Sequence, residues 1–104
     1  MRALFLGCYT SNAFKGLIGG SDREAAVKEL LKSVGGKLES LIFTRGEYDV
    51  VAIVEVPDRD AALGLTVAIH ASGAFTKMTV LEELNMKPIL AVAKKAAKAF
   101  KPAG

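Results

Sequence analysis

Apolar side chains recur along this chain with two different periods, and each switch of period marks a boundary between elements. Arg2–Thr10 alternates Ala3, Phe5, Gly7 and Tyr9 with Leu4, Leu6, Cys8 and Thr10, which predicts a buried strand. Asn12–Gly20 contains Gly16, Gly19 and Gly20 and reads as a connecting loop. Ser21 and Glu24 have the spacing of a capping box, ahead of Val27, Leu30, Leu31 and Val34 on one helical face. Gly35-Gly36 ends that helix. Lys37–Thr44 and Tyr48–Val56 return to strand alternation, and the short link between them predicts a hairpin. Pro57-Asp58 opens a second helix with Asp58 as its N-cap, running to about Ser72 before Gly73. Phe75–Glu83 is a fourth strand, and Asn85 caps a last helix over Met86–Phe100.

The order β-α-β-β-α-β is that of an α+β, ferredoxin-like domain: a four-stranded antiparallel sheet with two helices on one face. Residues 1–85 form that domain, and residues 86–104 a C-terminal amphipathic helix and tail rich in lysine and alanine. A chain of 104 residues affords one compact core. Its 51% hydrophobic content is generous for this size and suggests apolar surface buried against another copy. No apolar run approaches the ~18 residues of a membrane span. The N-terminal apolar stretch falls short of the ~7–15 residues of a signal peptide, so a cytoplasmic location without membrane contact is expected. One cysteine and one histidine exclude an internal disulfide and a Cys/His zinc site, so no metal or cofactor is expected.

Net charge is +3, but it is unevenly placed. Residues 1–85 hold nine basic and eleven acidic side chains, whereas residues 86–104 hold Lys87, Lys94, Lys95, Lys98 and Lys101 with no acid. The body lacks the basic stripe that tracks a phosphate backbone, so nucleic-acid or acidic-surface binding through the terminal lysines is a remote alternative.

Two helices cover only one face of such a sheet. In the third strand Val50, Ala52, Val54 and Val56 are assigned to the helices, leaving Asp49, Val51, Ile53 and Glu55 on the other side. Adding Phe5, Tyr9, Leu41, Phe43, Phe75 and Leu81 by alternation makes that second face largely apolar. The second helix, with Leu63, Leu65, Val67 and Ile69 spread around its circumference, reads as buried on more than one side. Both features predict a homodimer or higher homo-oligomer with apposed sheets, unless the last helix folds over the open face.

Candidate chemistry is sparse. Asp49, placed on the open face, is the candidate base, with Tyr9 as a nearby phenol and His70 as a second acid/base group. The alternative for the Glu47-Tyr48-Asp49 stretch is turn chemistry, with Gly46 permitting the turn and Asp49 bonding loop amides. Cys8 is assigned to the helix-facing side as a packing residue. The glycines before the first helix lack the spacing of a phosphate-cradling loop.

At Gly46-Glu47-Tyr48-Asp49 the sequence resembles the GYD-domain family. Ser21-Asp22-Arg23, Gly35-Gly36-Lys37-Leu38-Glu39, Val50 through Pro57-Asp58, and Ala71-Ser72-Gly73-Ala74 agree with it. The resemblance covers most of residues 5–85, with Glu47 standing between Gly46 and Tyr48 where the family's label reads Gly-Tyr-Asp. It implies a fold of the dimeric α/β-barrel type, and it assigns no catalytic residue. The function expected is a self-associating small-ligand-binding or scaffold module with an apolar inter-subunit cavity. The alternative is a cofactor-independent isomerase, dehydratase or monooxygenase using proton transfer there.

Overall fold

A computed structural model describes residues 1–101. Its elements are β1 (Arg2–Tyr9), α1 (Ser11–Ile18), α2 (Arg23–Lys32), β2 (Lys37–Phe43), β3 (Val50–Glu55), α3 (Arg59–Ala71), β4 (Phe75–Glu82) and α4 (Met86–Ala99). The strands form one antiparallel-paired sheet in the order β2-β3-β1-β4. Helix α2 packs on the β2 side and α3 on the β4 side of one face, as the ferredoxin-like order requires.

Helix entries follow from side chains that satisfy free backbone N–H groups. The Asp58 carboxylate accepts from Ala61 N and the Asn85 carbonyl from Lys87 N. For α2 the cap is Asp22, which accepts from Ala25 N, and not Ser21 one residue earlier. Residues 11–18 are helical where the glycines suggested a loop. Thr10 caps this short helix, accepting from Ala13 N, and Phe14 packs edge-on against Tyr9 at 5.6 Å, so a tertiary contact outweighs poor local propensity.

The core is Ala3, Phe5, Leu31, Ala52, Val54, Val56, Ala62 and Leu65. Pairing register decides which side of β1 faces it. Phe5 lies opposite Ala52, and Tyr9 opposite Phe75, so Phe5 and Tyr9 belong to the helix-covered face. Strand alternation assigns them to the open face, and the register corrects that assignment. Leu41 pairs with Ala52 and also turns toward the helices, with Phe75. Phe43, opposite Val50 at the end of β2, is exposed. Cys8 moves the other way, to the open face opposite Lys77. Both residue sets of β1 are apolar, so alternation alone leaves its phase undetermined.

The open face therefore presents Leu4, Leu6, Val51 and Ile53 at its centre, flanked by Ile42 and Leu81. Helix α4 does not cover it: every residue of α4 is exposed. The chain measures 60 × 32 × 22 Å with a radius of gyration of 17.7 Å, against the ~13 Å of a compact domain this long. Helix α3 buries Ala62 and Leu65 but leaves Leu63 and Val67 more than half exposed, so it is covered on one side only.

Candidate functional site

The Gly46-Glu47-Tyr48-Asp49 stretch fastens one end of the sheet. Gly46 adopts φ 136°, which L side chains rarely tolerate, and turns the chain into β3. Asp49 then accepts the Tyr9 backbone N–H at 2.9 Å through Oδ2. Its own N–H donates to Gly7 O at 2.9 Å, so the carboxylate extends the β1–β3 ladder by one bond. The Tyr48 side chain passes over β1 to β4, where its hydroxyl shares a 2.8 Å hydrogen bond with Thr79 Oγ1. Lys77 Nζ donates to Glu47 Oε1 at 3.1 Å and lies 5.0 Å from the Tyr48 ring centroid. These contacts and the Tyr48 phenol hold the Lys77 ammonium above its ordinary pKa. The Cys8 thiol donates to Glu47 O at 3.1 Å. Three consecutive residues thus tie β3 to both β1 and β4, consistent with the turn-chemistry reading of the motif.

Behind the sheet, between it and helices α2 and α3, the chain contains a cavity of about 280 Å³. Most of its wall is aliphatic or aromatic, including Phe5, Leu30, Leu65 and Met78; Arg23, Tyr9 and Ser72 supply its polar groups. Gly7 shapes one side: a Cβ there would lie 2.6 Å from the Phe75 ring, so its absence lets that ring lie over β1. Phe75 stacks on Tyr9 with ring centres 4.9 Å apart. Burial pushes the Tyr9 phenol above its ordinary pKa of 10.0; Asp49 adds to that rise and Arg23 opposes it. The phenol is therefore a neutral O–H donor at physiological pH.

A second recess, of about 210 Å³, adjoins the first under α1 and shares Arg23, Ser72 and Ala74 with it. Arg23 stands where they meet, and its Nε is buried with no hydrogen-bond partner among the described residues. An unpaired guanidinium N–H out of water is costly.

Of the residues singled out in the sequence, Tyr9 lines the cavity and Asp49 sits beside it, bonded to the Tyr9 backbone. His70, in the last turn of α3, is exposed and is not part of the cavity wall. Arg23 carried a signal that sequence reasoning passed over. It occupies the first position of α2, where the positive end of the helix dipole disfavours a cation. Among the described residues no group of three or more His, Cys, Asp or Glu is placed to hold a metal ion. No described helix is long and apolar enough to cross a membrane.

Two solved structures share this architecture. FFRP-DM1 is 19% identical, matching 80% of this chain and 97% of its own with a TM-score of 0.53. Hypothetical protein PHS023 from Pyrococcus horikoshii is also 19% identical, over 81% of this chain and 90% of its own, with a TM-score of 0.50. At that identity they speak for the fold alone. No curated protein matches the sequence. The model of the GYD domain matches residues 4–93, nearly the whole described chain and including Gly46 through Asp49. The chain belongs to the GYD-domain family.

Proposed function

We propose that the protein is a self-associating ligand-binding or scaffold module in which two copies appose the open faces of their sheets. The observation that carries this reading is the centre of that face, which no described helix covers and where Leu4, Leu6, Val51 and Ile53, each partly exposed, form a contiguous apolar patch. Its rims are polar. Arg2 bonds Glu39 at 2.7 Å and Glu83 at 2.6 Å at one end, and Lys77, Glu47 and Tyr48 close the other. An apolar centre inside a polar rim is the anatomy of a protein–protein interface.

The surface area points the same way. The chain exposes 7307 Å², whereas a compact 11.0 kDa monomer exposes ~5,600 Å². The excess exceeds the ~800 Å² that each partner contributes to a standard interface. Helix α4 supplies part of it, with Met86, Ile89, Leu90 and Phe100 exposed, and in the dimer this stripe clasps the second copy.

Sedimentation equilibrium at micromolar concentration tests the assignment. The expected mass is at least twice 11.0 kDa for the natural protein, and 11.0 kDa for Ile53→Lys, which sets an unpaired charge in the patch. A natural protein that sediments at 11.0 kDa contradicts it.

A further inference from the structure

We propose that the cavity between α2, α3 and the sheet binds a small amphipathic monocarboxylate, its apolar tail enclosed by the core side chains and its carboxylate on Arg23. This rests on the ligand-binding half of the function proposed above and adds the chemical class of the ligand.

The argument begins with the buried Arg23 Nε, which finds no partner among the described residues although its side chain forms part of both recess walls. Guanidinium N–H groups are donors only, and their strongest partners are carboxylate and phosphate oxygens. The space in front of Arg23 is divided by polarity. Inward it is walled by residues such as Phe5, Val27, Leu30 and Leu65; outward lie Asn12, Ser21 and Gly73. A ligand that satisfies both sides has an anionic head at the neck and an apolar body within. Tyr9, on the inner wall, offers a second donor to the head.

Size narrows the class. A dry cavity of ~150 Å³ takes up benzene, so by proportion 280 Å³ accommodates about eleven non-hydrogen atoms. Octanoate, with about ten, fits by that proportion. A phosphate-headed lipid of two chains is far too large, and a free amino acid brings an ammonium group for which the inner wall has no acceptor carboxylate.

Titration calorimetry of the full chain with octanoate, octanol and octylamine tests this, alongside Arg23→Met and Arg23→Lys. Expected are saturable binding of octanoate, binding at least about tenfold weaker for octanol and octylamine, and a loss of about tenfold or more in Arg23→Met with partial recovery in Arg23→Lys. Thermal melts of both variants establish that they fold. Equal binding of octanoate and octanol, unchanged in Arg23→Met, overturns the carboxylate assignment and leaves a ligand-binding cavity standing. Binding of none of the three by the folded natural protein overturns the proposal and the ligand-binding half of the proposed function together.

Discussion

The two faces of the sheet are both apolar, and they are apolar in different ways. On the helix-covered face Phe5, Ala52, Val54 and Leu65 pack as a core, yet the packing stops short and leaves a chamber with a cationic neck. On the open face Leu4, Leu6, Val51 and Ile53 pack only against their strand neighbours and stay half-buried, with no described helix over them. The proposed occupant of the hollow, where the Arg23 Nε has no partner among the described residues, is a small molecule that brings its own acceptor. A broad patch rimmed by ion pairs calls for another surface of similar breadth. Hydrophobicity is common to both; what separates the two surfaces is the depth of the recess and the location of the polar groups.

That contrast is open to attack at several points, the strongest being assembly. Val51→Asp places a charge in the open patch and is expected to weaken association by ~3 kcal/mol or more, whereas Val67→Asp on the outer side of α3 leaves the mass unchanged. Analytical ultracentrifugation of the pair reads the difference, and equal effects of the two would erase the distinction between these surfaces. On the other face, Gly7→Ala drives a methyl group into the Phe75 ring and costs about 1–3 kcal/mol in urea unfolding. Asp49→Ala leaves the Tyr9 N–H without its acceptor, at about 1–3 kcal/mol by the same measurement, with Asp49→Asn losing less. Tyr48→Phe removes only the bond to Thr79 and costs about 0.5–1.5 kcal/mol.

The smallest effect concerns pH. Folding raises the Tyr9 pKa above 10.0, so the folded state favours the neutral phenol. Its contribution is intact below about pH 10 and is lost as pH rises through the folded-state value. Urea midpoints of the natural protein are expected to fall above pH 10, and those of Tyr9→Phe to fall less steeply. Parallel curves would place Tyr9 in contact with water.

Elements with strong periodicity were legible in the sequence, and those resting on tertiary contact were not. Val50, Ala52, Val54 and Val56 announce β3 and its buried side without help from any neighbour. Strand β1 announces itself as a strand and conceals its phase, since only the pairing of Phe5 with Ala52 chooses between two apolar sides. That one ambiguity assigns Tyr9 to the wrong face, whereas the chamber it lines lies behind the sheet. Helix α1 was hidden by Gly16 and Gly19, because its Phe14 has a reason to be helical only once Tyr9 is in place. The capping residues Asp58 and Asn85 were readable because their hydrogen bonds are local.

Intermolecular nuclear Overhauser effects in a mixture of isotope-labelled and unlabelled chains test most directly the proposal that a second copy covers the open face. The account predicts cross-peaks from unlabelled protons to the methyl groups of Leu4, Leu6, Val51 and Ile53. Cross-peaks confined to Leu63 and Val67 on α3, or none at millimolar concentration, would contradict it.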